Sequence, residues 1–134
     1  MAVGMSSATA DNILNAIGNA TSYSIATPYM KLHTADPGTA GTTAAATETT
    51  RKLVSFGAPQ AGAAGFRKIV NDAAITWTAI AATGTEDATH FSLWDASTSG
   101  NYLGSGTITA ASFVAGDTYN IAIGAAELTL AINT

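Results

Sequence analysis

The chain has no cysteine, so neither disulfides nor thiolate metal sites hold it together. That suits a reducing compartment, or a fold that needs no staple. Charge is scarce as well. Asp, Glu, Lys and Arg make up 10% of the 134 residues, against roughly a quarter in an ordinary chain. The five cations, Lys31, Arg51, Lys52, Arg67 and Lys68, fall in two pairs and a single, and the net charge is −4. They cannot form a phosphate-tracking stripe, so nucleic acid is not expected as a partner. No stretch reaches the ~18 uninterrupted apolar residues of a membrane span, so no membrane partner is expected either. The opening "MAVGMSSATADN" has no basic region of the kind that begins a secretory signal. The chain is expected to stay where it is made, or to leave inside an assembly. Large apolar side chains are also few: 47% of the residues are hydrophobic, but 29 residues are Ala. Such a composition predicts a thin core, a shortage that self-association would relieve.

What is present is alternation. "PYMKLH" puts Met30 and Leu32 on one face, and Tyr29, Lys31 and His33 on the other. "RKLVSF" pairs Val54 with Phe56. "FRKIV" sets Phe66, Lys68 and Val70 against Arg67 and Ile69. "AITWTAI" aligns Ile75, Trp77 and Ala79. "ATHFSLWDA" sets Phe91 and Leu93 against His90, Ser92 and Trp94. "NYLGSGTIT" follows, then "TYNIAI" with Tyr119, Ile121 and Ile123, then "LTLAI" with Leu128, Leu130 and Ile132. Period two with turn residues every 8–12 positions predicts an all-β domain, an antiparallel β-sandwich or partly closed barrel. Asp36-Pro37-Gly38 fits a type II turn, and "DASTSGN" a hairpin loop with Gly100 at positive φ.

One helix is expected. In "TADNILNAIGNA", Thr9 or Asp11 would cap it, Ile13, Leu14 and Ile17 would share a face, and Gly18 would end it. Fewer than three turns are marginal alone, so this helix must dock. It either covers an edge or end of its own sheet, or reaches a partner. Residues 1–8 read as a flexible arm before a single domain over 9–134. Residues 39–50 are Thr- and Ala-rich, with little to bury, and loops of that length are usually functional or disordered.

No catalytic set is expected. His33 and His90 lie on separate strands with no motif around them, and read as surface or cross-strand packing. Glu86-Asp87 reads as a solvated loop. No cluster has the spacing of a metal site, and no cofactor is expected. "GSG" at 104–106 is not followed by a helix, so it is no dinucleotide fingerprint. Trp77 reads as core. Trp94 reads either as part of a second buried layer or as an interface.

"LHTADPGTAG", "TRKLVSFGAPQAG" and "THFSLWDASTSGNYLGSGTIT…VAGDTYNIAIGAAELTL" together resemble a family of small bacteriophage virion proteins. Its members are labelled tail fibre, minor capsid or capsid decoration proteins. The resemblance rests on Leu32, His33, Asp36, Pro37, Gly38, Arg51, Val54, Phe56, His90, Leu93, Trp94, Asp95, Gly100, Asn101, Leu103, Gly116, Asp117, Leu128 and Leu130. It implies a non-enzymatic virion part, made in the host cytoplasm. The expectation is a decoration protein on the capsid surface, binding the major capsid protein as a homotrimer. Docking would fall on the arm, the helix and the 35–50 loop. The residues expected at the interface are Met1, Val3, Met5, Ile13, Leu14, Ile17, Pro37, Thr42, Thr43 and Trp94. The alternative is a tail component that binds a host receptor, with Trp94 and Tyr102 stacking on sugar rings.

Overall fold

A computed structural model describes residues 3–133. It contains one helix, α1 (Ser7–Gly18), and nine strands: β1 (Tyr29–His33), β2 (Lys52–Leu53), β3 (Gln60–Ala61), β4 (Phe66–Val70), β5 (Ile75–Trp77), β6 (Glu86–Trp94), β7 (Tyr102–Phe113), β8 (Tyr119–Ile121) and β9 (Ala126–Ala131). Seven strands form one sheet in the order β2-β1-β6-β7-β9-β4-β3, and β5 and β8 form a second. Every strand pairing is antiparallel. The all-β expectation holds, as an open sandwich.

Register decides which residues share a face. Met30 pairs with Leu93 and Leu32 with Phe91. Phe91 continues to Gly106, Ile108 pairs with Ala126, and Leu128 with Ile69. That face is apolar. Gly106 is glycine for a reason: a Cβ there would run into the Glu127 carbonyl oxygen and the Phe91 ring. The second sheet adds Ile75, Trp77, Tyr119 and Ile121 to the same core, which Phe113 and Ile80 complete. Trp77 is core, as expected, and its indole N–H donates to Thr50 O at 2.9 Å. The other face of the large sheet carries Lys31, His33, His90, Ser92 and Trp94.

Several local readings are corrected. The helix begins at Ser7, and its cap is Ser6 rather than Thr9 or Asp11. Ser6 has an extended backbone, and its hydroxyl accepts from Thr9 N. What selects it lies far away in sequence: the same hydroxyl donates to Tyr102 O at 2.8 Å. Residues 4–6 run beside β7. Ser6 N donates to Leu103 O at 2.9 Å and Ser105 N to Gly4 O at 2.7 Å, so Met5 bridges Gly104. The described part of the arm thus extends the sheet. Gly104 admits that backbone, because a Cβ would sit 2.6 Å from Gly4 O and 2.9 Å from the Met5 Cα. Glu86 and Asp87 open β6 instead of lying in a loop. Alternation in "AITWTAI" breaks at Ala79, which takes a left-handed φ of 50°, and Ile80 is buried in its place.

Candidate docking surfaces

Two surfaces emerge from these elements. The first lies on the apolar face, where α1 and residues 20–28 cross the sheet. Met5, Thr9, Ile13, Tyr23 and Ile25 line one side of a cavity of about 270 Å³, and Ile69, Leu93, Leu103 and Leu128 line the other. The cavity shares Met5, Ile69 and Leu128 with an apolar groove toward Pro59 and Leu130. It shares Ile25, Pro28 and Phe56 with a second groove, toward Leu53. Beside this trough the helix projects an unburied ridge. Leu14 is 63% exposed and Ile17 is 78% exposed, and Thr9 is the only buried helix residue. The helix therefore docks on its own chain through its first turns and leaves its second apolar half uncovered.

The second surface is the polar face, and here the 34–51 loop folds back on the sheet. Gly38 takes the expected positive φ, 73°, and its N–H donates to Asp36 Oδ1 at 2.8 Å; the backbone bond that closes the turn lies one step on, from Gly41 N to Gly38 O at 3.1 Å. Pro37 is fully buried. Gly41, at φ 69°, lies flat on the Tyr102 ring, where a Cβ would clash. Thr43 O meets His33 Nδ1 at 2.8 Å, Thr34 N donates to Ala44 O, and Ala46 N donates to Leu32 O. Farther along, Glu48 accepts from Thr50 N and Ala81 N, and Glu86 accepts from Thr47 N and Thr83 N. Burial pushes the Glu48 carboxyl up, but the hydrogen bonds from Thr50 and Ala81 and, least, the Lys52 charge together outweigh it, and its pKa lies below the ordinary value. The Thr/Ala segment puts Ala46 into the apolar core, and two carboxylates and the sheet hold the rest of its backbone.

Under the loop lies a chain of side chains. His33 and Ser92 are fully buried. His33 Nε2 is 2.8 Å from Ser92 Oγ, and the Trp94 indole N–H donates to the same oxygen at 2.8 Å. Arg51 lies 3.9 Å over the Trp94 ring and donates to Ala96 O and Ser99 O. Tyr102 stands 5.5 Å from Trp94 at 50°. Asp95 accepts from Asn101 N and from Asn101 Nδ2; these bonds hold its carboxyl below the ordinary value. Trp94 is half-buried and one ring face is taken by Arg51. As a free stacking platform for sugar it is poorly placed.

The expected interface residues divide accordingly. Met5 and Ile13 are half-buried in the trough, and Leu14 and Ile17 project beside it; Val3, also half-buried, lines a separate recess with Gly38, Thr39 and Tyr102. Pro37 is buried inside the loop, Thr42 and Thr43 are on its exposed surface, and Trp94 lies beneath. Met1 lies outside the described residues. Ser6, Ser92 and Gly104 were missed, since an isolated Ser or Gly in a strand gives no local signal of what approaches it. Among the described residues, no group of three or more His, Cys, Asp or Glu could hold a metal ion. No helix among the described residues is long and apolar enough to cross a membrane.

The fold defines a class: a small antiparallel sandwich with one docked helix, whose polar residues are largely spent on fastening its own loops. Residues 4–129 match the model of a family described as "Podophage GP4 fiber I protein gp80". The match spans nearly the whole chain, and the chain belongs to that family. It is thus a bacteriophage virion structural protein. No curated protein matches it in sequence. The family description names a fibre, which favours the tail reading over the capsid one.

Proposed function

We propose that this protein is an adhesive, non-catalytic subunit of a podophage fibre, and that it assembles with further copies of itself through the helix-bearing apolar face. The observation that carries the assembly is the ridge of Leu14 and Ile17 beside an apolar trough on the same chain. A surface that holds both a projection and a recess suits contact between identical subunits, with the ridge of one copy in the trough of the next. Asp11 is the only charge on the helix, so copies carrying the same net charge repel weakly there. Covering each ridge residue contributes about 1–2 kcal/mol. In a closed trimer that gain is made at three contacts. Light scattering on the purified protein checks this. Wild type should be multimeric and Leu14→Asp/Ile17→Asp monomeric, with the same circular dichroism. A monomeric wild type, or a variant with unchanged mass, sinks the reading.

A second reading, a capsid decoration protein bridging major capsid protein subunits, keeps one observation in its favour. The described residues form one sandwich, a seven-stranded and a two-stranded sheet, of a size suited to sitting on a shell surface. Antibody-gold labelling of virions separates the two. Label on the tail supports the fibre subunit, and uniform label over the head supports decoration.

A further inference from the structure

We propose that His33 is a proton-operated latch that fastens the 34–46 loop over the polar face of the large sheet, and that acid releases the loop. The hydrogen-bond chain assigns every proton. Thr43 O is only an acceptor, so His33 Nδ1 must carry hydrogen to meet it at 2.8 Å. The neutral ring then offers Nε2 as an acceptor, which the Ser92 hydroxyl fills at 2.8 Å. Ser92 Oγ in turn accepts the Trp94 N–H. A second proton on the ring breaks this order. Nε2 becomes a donor, and Ser92, already taking the Trp94 N–H, loses the acceptor for its own hydrogen.

A charged ring would also be poorly compensated. On β1 its charged neighbour is Lys31, and across the register on β6 it is His90. The loop brings Asp36 and Glu48: Glu48 is engaged by Thr50 N and Ala81 N, and Asp36 Oδ1 by Gly38 N, while the buried Asp36 Oδ2 has no partner among the described residues and bonds to no ring nitrogen of His33. Arg51, at the loop's end, is cationic and stacks on Trp94. Burial is the main cause that lowers the His33 pKa; Lys31 and His90 lower it further, while the Thr43 and Ala44 carbonyls pull the other way. The sign follows. The latch is fully closed above the ordinary imidazole value of 6.5. It weakens as pH falls from there toward the lower folded-state value.

The loop is the part that yields. His33 and Ser92 belong to β1 and β6, whose paired register runs from Tyr29↔Trp94 to His33↔His90. The loop side holds through Thr43 O, Thr34 N and Ala46 N. It also keeps Ala44 at φ 49°, a left-handed conformation that a residue with a Cβ avoids, so opening relieves strain. The Glu48 clamp bounds the moving segment at its far end, and release uncovers the Tyr102 ring beneath Gly41.

The test is an NMR titration of the full chain between about pH 8 and pH 5. Imidazole nitrogen shifts should show the Nδ1-protonated neutral ring at the alkaline end. Exchange of the Thr34, Thr43 and Ala46 amides, corrected for intrinsic rates, should rise about tenfold per pH unit below the ordinary value, until the folded-state value is passed. In His33→Gln the same amides should lose that dependence. Flat exchange in wild type, an unchanged rise in His33→Gln, or an Nε2-protonated neutral ring overturns the latch. Should the variant not fold, the wild-type data still decide: loop opening that does not follow the His33 linkage refutes it.

Discussion

Asn71 offers the sharpest test of how the two sheets are joined. It is fully buried between β4 and β5. Its side-chain N–H groups donate to Ala73 O and Ala122 O, both at 2.9 Å, and its Oδ1 accepts Ala126 N at 2.9 Å. Its backbone adds bonds to Ala126 O and from Gly124 N. One residue thus ties the β4–β5 connection to the β8–β9 connection. Asn71→Ala leaves the Ala126 N–H and the Ala73 carbonyl without their partner and takes one of two donors from Ala122 O, which keeps the Ala125 N–H. The buried Ala126 N–H costs about 1–3 kcal/mol when unsatisfied, and the two part-exposed carbonyls, which water can reach, add less, for a sum of roughly 2–4 kcal/mol. Total stability for a domain is about 5–15 kcal/mol, so the melting temperature should fall by roughly 10–20 °C. Asn71→Asp is the discriminating variant, since it keeps the shape and turns the two donors into an acceptor facing two carbonyls. Burial and those carbonyls raise the introduced carboxyl's folded pKa above its unfolded value. Its penalty should therefore be largest at neutral pH and shrink as acid protonates the group. Calorimetric melts of wild type and both variants, near neutral and near the carboxyl range, check this. The reasoning fails if Asn71→Ala melts within a few degrees of wild type. It fails equally if the Asn71→Asp deficit relative to wild type is the same at both pH values.

Other outcomes follow from single contacts. Gly104→Ala should displace residues 4–6 from β7 and cost about 1–3 kcal/mol, with faster exchange of the Ser6 and Ser105 amides as the readout. Glu48→Gln should flatten acid unfolding. The Glu48 folded pKa is below the ordinary carboxyl value of 4.5, so its contribution is present above that value and lost as pH falls through the folded one. Trp94→Phe keeps a ring under Arg51 but loses the N–H to Ser92; a chemical-denaturation series should give a loss of about 1–2 kcal/mol, and no loss would remove Trp94 from the network.

Much of the fold was legible because it is local. Period-two alternation located the β1, β4, β6 and β9 strands, since a sheet with one buried face requires it. Asp36-Pro37-Gly38 and Gly100 marked turns because positive φ selects glycine, and both adopt it here. Leu14 and Ile17 were legible as a helical apolar pair, and they remain exposed. Less was legible where partners are distant. The 39–50 segment looked unsupported because its supports, His33, Ala81, Glu86 and Tyr102, come from other elements. His33 and His90 looked unrelated until β1 and β6 paired and set them side by side.

By itself the sequence determined an all-β chain without covalent staples, its strand faces, its tight turns and its kinship with phage virion proteins. Each follows from backbone preference or from side-chain order along the chain. Tertiary structure alone decided the sheet order, the pairing of residues 4–6 with β7, the choice of Ser6 as helix cap, and the burial of His33 beneath its loop. Those depend on which backbone groups meet across long separations, as Ser6 meets Tyr102. Such meetings are settled by packing and by satisfying buried donors and acceptors together, and no local stretch of sequence records them.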